Sequence, residues 1–344
     1  MISVAILGGT GFGAGELLRL FLGHPQVKVA AVTSRSKAGQ LYSSVHPHLA
    51  SVYEDSFVSE IPASFGESEN QCIFSALPHG ESSKAISEVT SQFPKAKVID
   101  LSGDLRLKDF DLHQEFYSHS PEFAELRSQA VYGLTEVNAE GISNAALVAN
   151  PGCLATASVL ALLPFGGRSF VSVHQHAATG SSGSGKDPKA STHHPVRHAN
   201  FLAYKVLEHQ HVPEVVQCLH QNGSDIDQLP FVAHSLPISR GILCTTFVEL
   251  VEPMDQAQIE ALFANFYQGK PFIRLKGSAP AEIENVVGSN FCDISITVKG
   301  DQIVIHTAID NLVKGMAGQA IHNMNLMFAL PETTGLWFGG WRPV

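Results

Sequence analysis

Ile2-Ser3-Val4-Ala5-Ile6-Leu7-Gly8-Gly9-Thr10-Gly11-Phe12-Gly13-Ala14-Gly15-Glu16-Leu17-Leu18 is the stretch on which the fold turns. An apolar run of strand length stops at Gly8, glycines crowd the next seven positions, and apolar residues then recur at helical spacing through Leu17-Leu18-Arg19-Leu20-Phe21-Leu22. In that order a chain turns sharply at a strand end, lets a pyrophosphate approach its backbone and offers the anion a helix N-terminus. A glycine pattern alone is weak. Placed directly between strand and helix, it predicts a dinucleotide site built by Gly8, Thr10, Gly11, Phe12 and Gly13 rather than an ordinary turn.

A second apolar run, Val27–Val32, is rich in β-branched residues and completes a βαβ unit. NAD sites usually present an acidic side chain at the end of this strand, whereas here the chain presents Ser34, Arg35 and Ser36. An arginine fork suits the additional phosphate of NADP, which is therefore the expected cofactor; the competing reading is a solvated Arg35-Lys37 pair. Strands are expected over 71–77 and 97–101, each closing on a turn-like segment, Pro78-His79-Gly80 and Ser102-Gly103-Asp104. From about Asn150 the texture changes to longer strand candidates at 169–174, 241–251 and 292–298, which predict a second, α+β domain. The Gly/Ser-rich stretch 179–185 has the composition of a functional loop, and 313–330 that of a helix stopped by Pro331.

With 344 residues, 44% of them hydrophobic, the chain can bury two cores. A formal net charge of -10 argues against nucleic-acid or anionic-membrane partners, which require a basic face. No apolar run reaches membrane-spanning length and the N-terminus carries no basic leader, so a cytoplasmic protein is expected. The five cysteines are odd in number, scattered and without a CxxC pair, as reduced thiols would be.

One cysteine stands apart. Asn150-Pro151-Gly152-Cys153 precedes a run of helical composition, 154–163, and a cysteine at a helix N-terminus sees the positive end of the dipole, which favours the thiolate. The same N–H groups could stabilise an oxyanion formed at an attacked carbonyl. The alternative is a cysteine that merely caps and packs. Downstream, His209-Gln210-His211 with Glu214 close by supplies imidazoles able to relay protons to and from a thiolate and a carbonyl oxygen. Seventeen histidines, among them His193, His194 and His198, also raise a zinc site as a competing reading, but no HExxH or Cys/His ligand pattern accompanies them, and no metal is expected.

These residues resemble the N-acetyl-gamma-glutamyl-phosphate reductases, relatives of aspartate-semialdehyde dehydrogenase, over nearly the whole chain. The likeness rests on the glycine loop, the segment Asp100 to Arg106, Asn150 to Cys153, Gly180 to Gly185, His209 through Glu214, Gly288 to Asp293, Ala308 to Gly315, and Pro331 to Leu336. It implies an α/β fold: a Rossmann-type domain at 1–150, rejoined by 312–344, and an α+β catalytic and oligomerisation domain of glyceraldehyde-3-phosphate-dehydrogenase-like type at 151–311. It implies a homo-oligomer, a dimer or tetramer. Carried over by position, it makes Cys153 the nucleophile and His209 the acid/base, with Ser182, His211 and Glu214 shaping the substrate site, Lys205 and Arg240 as weaker candidates for its anionic groups, and Asn311 near the nicotinamide. The implied reaction is NADPH-dependent reduction of a small acyl phosphate through a cysteine thioester.

Three positions depart from the family. Ala14 replaces the third glycine, which close helix packing tolerates; Leu154-Ala155 replaces the common Tyr-Pro; and Thr192-His193-His194-Pro195 ends the loop segment unusually. The last two resemble sister enzymes that reduce a carrier-linked aminoadipyl or glutamyl phosphate, which is the alternative substrate. An NADP(H)-sensing protein without turnover is the non-enzyme alternative.

Overall fold

The computed structural model describes residues 1–117 and 123–343; Val344, at the end of the C-terminal segment, lies outside the described residues. The chain divides into two compact units. One comprises Met1–Pro151 and Met316–Trp337, the other Gly152–Gly315 and the residues from Phe338 on. The segment expected as a whole in the first domain, 312–344, is thus shared between them.

In the first unit β1 (Ile2–Leu7), α1 (Phe12–Phe21), β2 (Val27–Val32), β3 (Gln71–Ser75), α2 (Ser82–Gln92), β4 (Lys97–Asp100), α3 (Phe110–Tyr117), α4 (Ala124–Gln129), β5 (Val131–Tyr132), α5 (Thr135–Asn144) and β6 (Leu147–Ala149) follow in order. The strands form a parallel sheet ordered β2-β1-β3-β4-β6-β5. The central strands are buried on both faces, which is why they read as unbroken apolar runs instead of alternating ones: Val4, Ala5, Ile6, Cys72, Ile73, Phe74, Val98 and Ile99 are all inaccessible. β2 alternates over its first half because it is the sheet edge.

The second unit holds α6 (Cys153–Leu162), β7 (Phe170–Thr179), α7 (His194–Arg197), β8 (Leu202–Tyr204), α8 (Val212–Gln221), β9 (Phe231–Ser235), β10 (Ile242–Leu250), α9 (Gln256–Phe266), β11 (Ile273–Leu275), β12 (Cys292–Lys299) and β13 (Gln302–Ile309). Its mixed sheet runs β11-β12-β13-β10-β7-β9-β8, with β12, β13, β10 and β7 antiparallel neighbours. Ile242, Cys244, Thr246 and Val248 alternate inward along β10, and α6 packs on this sheet.

The chain ends its regular structure in α10 (Gly318–Met327), in the first unit. The helix expected from 313 starts later. Val313–Ala317 forms a wider π turn, because Asp310 Oδ1 takes the N–H groups of Leu312 and Val313 at 2.7 and 3.0 Å and the Gly315 N–H reaches back five residues to Asp310 O at 2.9 Å. Among the described residues no helix is long and apolar enough to cross a membrane.

Candidate active site

Cys153 opens α6, and the remainder of that helix, Leu154 to Leu162, is buried. Leu154, Val159, Leu160 and Leu162 each stabilise the unit by roughly 2 kcal/mol through burial. Polar pins then fix where the helix lies. Thr307 Oγ1 donates to Ala157 O at 2.7 Å, Gln175 Nε2 to Ser158 O at 3.0 Å, and Tyr267 Oη to Leu160 O at 2.5 Å. Only Cys153 escapes the hydrocarbon: the other four cysteines are buried, and burial pushes the thiol of Cys218 up to about 12 and that of Cys244 up to about 11.

The N-cap of α6 is Gly152, which has no side chain to cap with. The first-turn N–H groups are left without a side-chain cap, while the carboxylate of Glu214, wholly buried in the first turn of α8, accepts the N–H of Gly152 itself at 2.7 Å. Gly315 presses on the other side, where a Cβ would stand 2.6 Å from that of Cys153. The peptide before the nucleophile candidate is therefore gripped from α8, and the residue itself from the 310–315 turn.

His209 and His211 lie just before α8, both nearly buried, with ring centroids 4.8 Å apart. His209 Nδ1 accepts the His211 N–H at 3.1 Å, which leaves the proton of the neutral ring on Nε2. Burial, and secondarily the Lys205 charge, lower its pKa to about 4, so the ring is neutral at physiological pH. Tyr204 joins this histidine to the cysteine: its ring is 5.8 Å from that of His209, and its phenol is pushed up by burial and then by the charge of Cys153.

Ser182, in the turn Ser181–Ser184, accepts a hydrogen bond from Asn311 Nδ2 at 2.8 Å, while Asn311 Oδ1 accepts the Gly241 N–H at 2.8 Å. Both ends of the Asn311 carboxamide are thus used inside the second unit. Arg240 pairs with buried Asp310 at 3.2 Å, and exposed Lys205 donates to Gln210. His194 and His198 stack on each other at 5.1 Å, and among the described residues no group of three or more His, Cys, Asp or Glu is arranged to hold a metal ion.

In the first unit the glycine loop turns tightly at the end of β1. Gly8 turns with φ +78°, and a Cβ there would meet Ala76 O at 2.8 Å; one on Gly9 would meet Val32 Cγ1 at 2.3 Å. Gly11, by contrast, faces open space and caps α1 with no side chain, leaving room for a ligand above the helix start. Ser34 is half-buried, and Arg35 and Ser36 are exposed just beyond β2. Farther along the same strand ends, burial pushes Asp100 up to about 6 while Ser82 and Ser102 donate to its carboxylate. Asn150 is held by Arg106 Nε at its carbonyl, 2.7 Å, and by Asn323 Nδ2 at its amide oxygen, 3.0 Å.

Sequence reasoning missed three supporting groups. His46 donates from Nε2 to Gly9 O at 2.7 Å and packs where a Cβ on Gly15 would stand, so it props the cradle from beneath. Tyr204 and Gly315 complete the surroundings of Cys153. Gly315 lies in the segment Ala308 to Gly315, but no local pattern announces these roles, because His46 acts on Gly9 and Tyr204 and Gly315 act on Cys153 across long sequence gaps.

Both parts of the chain resemble known proteins. A family model described as the semialdehyde dehydrogenase NAD binding domain matches residues 3–145, and one described as the semialdehyde dehydrogenase dimerisation domain matches 153–311. The N-acetyl-gamma-glutamyl-phosphate reductase of Brevibacillus brevis is 40% identical over 343 residues, covering 98% of each chain. That of Methanocella arvoryzae is 40% identical over 347 residues, covering 100% of each. Among solved structures, aspartate semialdehyde dehydrogenase II from Vibrio cholerae, complexed with ASA, superposes with a TM-score of 0.72 at 16% identity, covering 96% of this chain and 98% of that one, a likeness of fold alone.

Proposed function

This chain belongs to the N-acetyl-gamma-glutamyl-phosphate reductase family, and we propose that it reduces N-acetyl-glutamyl 5-phosphate with NADPH to the 5-semialdehyde and phosphate, a step of arginine biosynthesis. The observation that carries the chemistry is that Cys153, alone among five cysteines, is not buried and stands at the start of a fixed, buried helix. The chain is an oxidoreductase that uses NADP. The residues of the first unit fit that cofactor: the open space at Gly11 and the α1 N-terminus suit the pyrophosphate, and Arg35 with Ser34 and Ser36 suits the ribose phosphate.

The proposed reaction starts with attack of the Cys153 thiolate on the acyl carbon. A C–S bond forms, the C–O bond to phosphate breaks, and phosphate leaves, taking up the one proton the overall reaction consumes. When bound, NADPH would supply the hydride for the resulting thioester carbonyl. Cleavage of the C–S bond then returns the thiolate and releases the aldehyde. The uncapped first turn of α6 suits the carbonyl oxygen as negative charge builds on it. His209, neutral with its proton on Nε2, serves as donor to that oxygen and as relay of the phosphate proton. His211 fixes the tautomer, Glu214 holds the Gly152 N–H just before Cys153, Ser182 is set by Asn311 to shape the substrate pocket, and Arg240, with exposed Lys205 in a lesser part, meets the substrate's anionic groups.

Assembly with further copies of the chain is part of this reading. The face of the mixed sheet opposite the inward residues of β10 leaves Phe247 about half exposed, and the family model matched there is described as a dimerisation domain. A cytoplasmic setting suits the free thiols.

The test is a spectrophotometric assay of NADPH oxidation with free N-acetyl-glutamyl phosphate, a carrier-linked aminoadipyl phosphate, and NADH in place of NADPH. Turnover of the free substrate with NADPH is expected. Turnover of the carrier-linked substrate alone would replace the substrate assignment, and absence of turnover with tight NADPH binding would replace the enzyme by a sensor.

A further inference from the structure

The last residues of the chain strap down the hub that carries the substrate loop. The Trp341 N–H donates to Val287 O at 2.7 Å, and Arg342 Nη1 reaches Asn285 Oδ1 at 2.9 Å. Gly340 packs so closely that a Cβ there would stand 2.9 Å from the same Val287 carbonyl. The indole of Trp341 lies on Gly288: a Cβ at 288 would come within 2.6 Å of it, and the φ of +84° there disfavours a side chain as well. The same ring carries Arg240, whose guanidinium carbon is 5.1 Å from its centroid.

Gly288 and Arg240 have one acceptor in common. The Gly288 N–H and Arg240 Nη1 both donate to Asp310 Oδ2, at 2.7 and 3.2 Å. Trp341 therefore covers both donors to a single buried carboxylate oxygen. The other oxygen of Asp310 holds the turn at Leu312 and Val313, and its neighbour Asn311 holds Ser182 and Gly241. An indole at the chain terminus is thus tied, through one carboxylate, to the loop at 180–185.

We propose that Trp341 is a positioning residue for the acyl-phosphate substrate, holding the Arg240 guanidinium in a fixed plane and, through Asp310 and Asn311, the Ser182 loop. This rests on the reductase reading above. An arginine side chain free to rotate loses that freedom when a substrate carboxylate or phosphate binds; stacking on an indole removes it beforehand, so binding gains what ordering would have cost. Such a residue changes substrate affinity more than the chemical step.

Trp341→Ala, Trp341→Phe, Arg240→Met and the Trp341→Ala/Arg240→Met pair test this in the full chain, by steady-state kinetics with N-acetyl-glutamyl phosphate and by hydrogen exchange of residues 180–185. Trp341→Ala is expected to raise KM for the acyl phosphate about fivefold or more, with kcat and the KM for NADPH within about twofold, and Trp341→Phe to restore most of the loss. The effect should vanish in the Arg240→Met background, and exchange at 180–185 should quicken. An unchanged KM, full additivity with Arg240→Met, a phenylalanine no better than alanine, or unchanged exchange overturns the proposal. If the wild-type chain fails to turn over the acyl phosphate, the functional reading falls, and the exchange measurement alone decides the positioning role.

Discussion

Glu214 accepts the backbone N–H of Gly152 at 2.7 Å across 62 residues of sequence, so a buried carboxylate on α8 fixes the peptide that leads into Cys153. Removing the acceptor would leave a buried N–H without a partner, which costs roughly 1–3 kcal/mol. Glu214→Ala is expected to lower the melting temperature and to reduce kcat at least about tenfold, because the nucleophile loses its fixed geometry. Glu214→Gln keeps an acceptor oxygen and should retain most of both. Thermal melts and initial rates of the two variants check this, and equal losses in both would show that the charge rather than the hydrogen bond matters.

His209 gives a pH dependence of known sign. Its pKa is about 4 in the folded chain and near the ordinary histidine value of about 6.5 when unfolded, so between those values the unfolded state binds the extra proton. Its contribution to stability is full above pH 6.5 and is lost as the pH falls toward 4. His209→Gln should flatten the stability curve across that window relative to the wild-type chain, as read by denaturant titration at several pH values. An NMR titration placing the His209 ring near pH 6.5 would contradict the burial argument.

The cofactor assignment rests on Arg35 at the exposed end of β2. Arg35→Ala is expected to raise KM for NADPH about tenfold or more, the loss of a charge-assisted phosphate contact, while leaving the KM for NADH within about twofold. Initial-rate measurements with both cofactors decide it. Equal effects on the two would mean that this arginine does not read the ribose phosphate.

Native thiol reactivity should be confined to one residue. Cys72, Cys218, Cys244 and Cys292 are buried, and burial raises the thiols of the first three. Brief treatment with iodoacetamide followed by peptide mapping is expected to find the label on Cys153, with loss of activity in step. Labelling of several cysteines at like rates would contradict the environment described for α6.

Much of this was legible before any coordinates. The opening strand and second strand have the same bounds in sequence and structure, Ile2–Leu7 and Val27–Val32: the first is a buried apolar run ended by Gly8, and the second, at the sheet edge, is marked by its β-branched residues. The helix start at Cys153 was readable from Pro151-Gly152. The short strands β5, β6, β8 and β11, of two or three residues, left no periodic signal. The wide turn at Val313–Ala317 has the composition of plain helix, and its cause, the Asp310 carboxylate taking two N–H groups, is a tertiary detail of one side chain. Long-range partners such as His46 under Gly9, Tyr204 near Cys153, and Asn311 on Ser182 could not be read from spacing, since contacts at separations of 37 to 129 residues have no local pattern.

Covalent capture by Cys153 is measurable without turnover. Incubating the protein with N-acetyl-glutamyl phosphate in the absence of NADPH, then quenching in acid and determining intact and peptide masses, should reveal one N-acetyl-glutamyl group per chain on the peptide containing Cys153, with phosphate released in equal amount and the adduct discharged on adding NADPH. An unmodified Cys153 in a preparation that still reduces the acyl phosphate would contradict the thioester route.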